Sequence, residues 1–163
     1  MKKVTLSMFT LLVALIATAQ NYDAANWKPW LINNPEKIVT KAPPTAAESL
    51  AELHLLKNQL SKLDEKKLAN ITYWNAGAPS YRWNQIAANM INQKQELMLR
   101  MPTSWINIAI YDATIIAWKE KLKYKRKRPA DPTGKLKSII DAPLTYSYPC
   151  EHTVTAAAAA TVR

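Results

Sequence analysis

From residue 45 onward, apolar residues recur every three or four positions, the spacing that lines one face of an α-helix. Thr45-Ala46-Ala47-Glu48 forms a capping box, and Leu53, Leu56, Leu60 and Leu63 follow it on one stripe. A second helix is predicted over Asp64 to Trp74, with Leu68 and Ile71 inward, and "NAGAPS" breaks it. Ser80 can cap a third helix that carries Trp83, Ile86, Met90 and Leu97 and that "RMPT" ends. Thr103 opens a fourth, "SWINIAIYDATIIAWKEKLKYKRK", with Ile106, Ile110, Ala113 and Ala117 on one side. Pro129 must stop it, because proline lacks an N–H and its ring clashes with the preceding turn. Residues 129 to 149 read as a proline-containing loop with a short turn at "KLKSII". The last helix begins near Cys150 and runs into "TAAAAATVR", about three turns in all. No segment alternates polar and apolar as a half-buried strand would, so the expected fold is all-α.

The pattern changes before residue 45. Residues 20 to 44 are rich in proline, asparagine and tryptophan and follow neither period, so they are expected to form an irregular arm that Trp27 and Trp30 dock onto the body. Residues 1 to 19 read as a signal peptide: "MKK" is a positive start, "VTLSMFTLLVALI" is apolar, and Ala17-Thr18-Ala19 is a small-residue cleavage site. The apolar run is short for a membrane span and lacks a stop-transfer flank. The expected division is therefore leader 1–19, arm 20–44 and helical domain 45–163, in a periplasmic or secreted protein without a stable membrane span after cleavage.

Composition narrows the chemistry. A single cysteine excludes an intramolecular disulfide framework and a cysteine-based metal site, and no metal is expected. Two glycines, Gly77 and Gly134, lie too far apart for a glycine-rich phosphate loop. Setting aside Lys2 and Lys3 from the 22 basic residues leaves 20 against 12 acidic ones, a balance that suits an anionic substrate or surface. His54 has no second ligand nearby and reads as a surface or boundary residue.

Two segments can handle an anion. The basic run "KEKLKYKRKRP", residues 119 to 129, would ordinarily be a solvated face, and a nucleic-acid footprint is the weakest of its readings. Yet Lys121 and Arg128 are seven apart, and both point the same way if helix persists to Pro129. A point charge beside a planar fork suits a tetrahedral oxyanion. The second segment is "SYPCEH". A helix starting there exposes unpaired N–H groups and the positive end of the dipole. His152 could act as a general acid or base and Cys150 as a nucleophile, although Ala156 stands where a cysteine-phosphatase loop needs arginine. Glu151 suits the helix dipole but opposes an incoming anion unless its side chain turns away.

Together, Lys121-x6-Arg128-Pro129 and Pro149-Cys150-Glu151-His152 resemble the first two motifs of the type 2 phosphatidic acid phosphatase and vanadium-dependent haloperoxidase superfamily, K-x6-R-P and P-S-G-H. "YWNAGAPSYRWNQIA" and "NIAIYDATIIAW" also look like the helices preceding that signature in secreted bacterial members. The resemblance implies a helical bundle in which Lys121 and Arg128 hold the equatorial oxygens of phosphate or vanadate. It implies that Cys150 and the amide of Glu151 add contacts and that His152 protonates the leaving oxygen. Cys150 replaces the family serine and Glu151 its glycine, though some secreted relatives carry Ser-Glu-His. No histidine follows His152, so the third motif, S-R-x5-H-x3-D, has no counterpart, and the resemblance implies a domain incomplete at its C-terminus. Three activities follow as expectations. The first is an exported phosphoric monoester hydrolase needing no cofactor. The second is a haloperoxidase using vanadate, halide and peroxide on the same scaffold. The third is a non-catalytic truncated remnant that binds oxyanions or a partner chain. A homodimer is left open, and nucleic acid is not an expected partner.

Overall fold

The computed structural model describes the main chain of residues 22–94, 100–129, 138–140 and 143–162. The leader, residue Leu97 and the first half of the "KLKSII" turn lie outside the described residues. Those residues hold five α-helices and no strand: α1 (Ala46–Ser61), α2 (Glu65–Asn75), α3 (Tyr81–Lys94), α4 (Arg100–Tyr124) and α5 (Glu151–Thr161). The all-α expectation stands. None of these helices is long and apolar enough to cross a membrane.

Local chemistry sets most boundaries. The α1 capping box is complete: Glu48 N–H donates to Thr45 Oγ1 at 3.3 Å, and Thr45 N–H donates to the Glu48 carboxylate at 2.8 Å. Asp64 caps α2 by accepting from Lys67 N–H at 2.7 Å. Between α2 and α3 the chain reverses at Gly77, whose φ of 72° is open to glycine without steric cost. A Cβ there would also sit 3.3 Å from the Tyr81 side chain, tighter than ordinary contact.

Two expected boundaries move. "RMPT" belongs to the start of α4 rather than the end of α3, because proline is tolerated in a first helical turn, where its missing N–H has no intrahelical partner anyway. At the other end α4 stops at Tyr124 and does not persist to Pro129. Lys125 N–H makes the closing bond to Lys121 O at 2.9 Å. Lys125 itself turns to φ 49°, and the Arg126 carbonyl then accepts from Ser147 N–H at 2.8 Å instead of continuing the helix.

The core lies around α4, not along the leucine stripe. Ile110, Ile115, Ile116 and Ala117 are buried, with Ala24 and Ala25 of a 3-10 turn at Tyr22–Asn26 and Ala159 of α5. On α5, Thr155 and Ala159 are one turn apart and both buried, and their small side chains let the two backbones approach. By contrast α1 and α2 bury no residue: Leu56 and Leu68 remain exposed, and Leu55 is 67% exposed. On α3, Met90 is also exposed and Ala87 takes the inward place. Apolar spacing therefore identifies the helices correctly, but it does not rank their faces by burial.

The arm (residues 22–44 of those described) is irregular apart from its opening turn and a second one at Pro35–Lys37. It docks by an unexpected route. Trp27 stacks on Tyr111 with ring centroids 5.9 Å apart, as a docking residue should. Trp30 stays 73% exposed and docks through its main chain. The buried carboxylate of Asp112 accepts from the N–H groups of Trp30 and Leu31, both at 2.7 Å, and of Ile32 at 3.0 Å. Two turns further along α4, Thr40 Oγ1 donates to the Glu120 carboxylate.

Candidate oxyanion site at the start of the last helix

Lys121 in the last turn of α4 and Arg128 before Pro129 converge on one short stretch of main chain, Thr145-Tyr146, and the first turn of α5 joins them through Glu151. Lys121 is fully buried, and its Nζ donates to the carbonyl of Tyr146. Arg128 reaches the same stretch from the other direction. Its Nε donates to Thr145 O at 2.8 Å, and its terminal nitrogen donates to Thr145 Oγ1 at 2.8 Å and to Tyr146 O at 3.5 Å. The two cations do come together, though not by sharing a helical face. Arg128 arrives because the chain leaves the helix at Lys125 and doubles back.

Glu151, the first residue of α5, places its carboxylate 3.8 Å from Lys121 Nζ. The stripe Glu151, Thr155, Ala159 is thus the face of α5 turned toward α4. Burial pulls the Lys121 ammonium below its ordinary value of 10.5; Glu151 pushes back, Arg128 adds to the fall, and Cys150 lies close enough to oppose it. Cys150 is the residue preceding the helix, exposed, with φ −75° and ψ 120°, and its side chain makes no capping bond. The four N–H groups at the start of α5 have no partner within the helix.

His152 looks elsewhere. It is exposed and, with Thr153 and Ala156, lines a cleft of about 310 Å³ closed on the other side by Trp74, Pro79 and Trp83. No hydrogen bond joins it to Lys121 or Arg128. Of the five residues singled out from sequence, then, Lys121, Arg128, Cys150 and Glu151 gather at the α4–α5 junction. His152, one position on and about 100° around the helix, faces the neighbouring cleft.

The basic run is not a solvated face throughout. Besides Lys121 and Arg128, Arg126 is committed within the fold: it donates to Glu52 at 2.7 Å and to Ser49 Oγ at 3.1 Å, which ties α1 to the end of α4. Sequence reasoning missed Asp112, Glu120 and the Thr145-Tyr146 carbonyls. A lone acid inside the apolar run "NIAIYDATIIAW" was a readable signal, since a buried carboxylate must find donors. Main-chain acceptors leave no trace in a side-chain pattern. No family model, no curated protein and no solved structure matches the chain.

Proposed function

We propose that Lys121, Arg128 and the first turn of α5 form one wall of the oxyanion site of an exported phosphoric monoester hydrolase, of the type 2 phosphatidic acid phosphatase kind. The observation that carries this reading is the meeting of a buried lysine and an arginine at Thr145-Tyr146, with Glu151, the first residue of α5, 3.8 Å from the lysine. The lysine and the arginine now bond neutral oxygens, the Thr145 and Tyr146 carbonyls and the Thr145 hydroxyl, with the Glu151 carboxylate 3.8 Å from Lys121. A phosphate dianion is the stronger acceptor, since charge-assisted hydrogen bonds are roughly twice as strong as neutral ones. It would also offset the desolvation that lowers Lys121.

In this reading Lys121 and Arg128 hold the equatorial oxygens, Cys150 and the Glu151 N–H add contacts, and His152 gives a proton to the departing oxygen. Glu151 competes with the anion for Lys121. Vanadate has the same shape and charge and would meet the same donors; its chemistry would be activation of peroxide toward halide.

The test is calorimetric titration of the 163-residue chain with phosphate and with vanadate. Binding is the property to measure, because residues 153–163 contain no nucleophilic histidine. Arg128→Ala should weaken both anions at least tenfold, Glu151→Gln should tighten them, and His152→Ala should leave them within threefold. Absence of binding to the folded wild type would overturn the proposal.

A further inference from the structure

The cleft beside His152 has a character that the oxyanion site does not explain. Trp74, at the end of α2, and Trp83, in the first turn of α3, bring their rings to a centroid distance of 5.5 Å at 39°. The Gly77 turn lies between them, and the Arg82 guanidinium, 4.0 Å over Tyr73 and bonded to the Tyr73 carbonyl at 2.8 Å, links the start of α3 to the end of α2. Trp74 keeps 40% of its surface exposed, so an indole is presented to an incoming molecule rather than spent on the core. Opposite stand His152, Thr153 and Ala156. A volume of about 310 Å³ is at the small end of ligand sites and suits one substituted ring.

Position supplies the rest. Glu151 faces the cations and His152 faces the indoles, on consecutive residues of one helical turn. A phosphoester whose phosphorus sits at Lys121 and Arg128 would carry its bridging oxygen past His152 and its organic group into the cleft. We propose, resting on the oxyanion reading, that the substrates are monoesters with a planar aromatic leaving group, which stacks on Trp74 and Trp83 while His152 protonates the oxygen being released. In that step the P–O bond to the leaving group breaks, its electron pair stays on the oxygen, and the His152 proton neutralises it. In the net hydrolysis the phosphoryl group passes to water, whose oxygen forms the new P–O bond and whose proton returns to His152. Offset or tilted stacking on indole is favourable for any π-face, whereas an alkyl group gains only the area it covers.

The experiment compares inorganic phosphate, methylphosphonate and phenylphosphonate by calorimetry on the full chain; the phosphonates are not hydrolysed. Phenylphosphonate should bind at least tenfold tighter than methylphosphonate. Trp74→Leu, at an exposed position, should cut that preference below threefold and leave methylphosphonate affinity unchanged, while Trp83→Phe, which keeps a ring, should retain it. Equal affinity of the two phosphonates for the wild type overturns the aromatic assignment and leaves the oxyanion site standing. So does a preference that Trp74→Leu does not alter. If none of the three anions binds, the oxyanion reading falls first and this inference with it.

Discussion

The residue that governs the site is Lys121, a cation with no exposed surface. Burial favours its neutral form and Arg128 adds to that, while Glu151 and, after it, Cys150 oppose the fall in its pKa. Because its folded pKa lies below the unfolded 10.5, the protonated side chain opposes folding. That opposition is complete below the folded value and is relieved as pH rises toward 10.5. With selectively ¹³C-labelled lysine, the Lys121 ε-carbon should titrate at lower pH than the exposed lysines, and lower again in Glu151→Gln, where the opposing charge is gone. A titration coinciding with that of exposed lysines would contradict the burial argument. At this scale the sequence indicated which residues would lie near one another but not the route that brings them there. Lys121, Arg128, Cys150 and Glu151 were readable from motif spacing, but the reason they meet was not. Spacing of seven reads as two turns of helix, whereas the chain turns at Lys125 through a left-handed conformation that nothing in "KYKRKRP" announces.

Among the elements, α4 does the organising, and its two buried carboxylates are the means. Asp112 and Glu120 stand two turns apart and hold the arm from Trp30 to Thr40 along the helix. Asp112→Asn keeps the shape but replaces one acceptor oxygen with a donor that confronts an N–H. The expected loss is on the order of 1–3 kcal/mol, read from denaturant midpoints, together with proteolytic cleavage within residues 28–44 at protease levels that spare the wild type. An arm equally protected in the variant would show that the Trp27–Tyr111 stack suffices. Helix existence was legible because capping and period agree, as at Thr45 and Asp64. Which helix is central was not, since the period of Leu53, Leu56, Leu60 and Leu63 is as regular as that of Ile106, Ile110, Ala113 and Ala117. Burial depends on what packs opposite, and the arm that covers α4 shows no period at all.

At the scale of the molecule, stability should follow this uneven core. Ile115 has no exposed surface, so Ile115→Ala should cost about 2–5 kcal/mol through lost burial and the cavity left behind. Leu55→Ser, on the outer face of α1, should change stability by no more than about 0.5 kcal/mol. Parallel chemical melts check both, and comparable losses would relocate the core to the leucine helices. The arm's tether also has a consequence for the order of assembly. Lys121 and Tyr146 are 25 residues apart, while Trp30 and Asp112 are separated by 82. Closing the longer loop costs about 1 kcal/mol more in chain entropy, and its reward waits on a formed α4. The cation cluster and the α4–α5 pair are therefore expected to close first, with the arm settling onto a surface already built. On unfolding the order should reverse: the N-terminal strap lifts while the junction of Lys121 with Tyr146 is still intact.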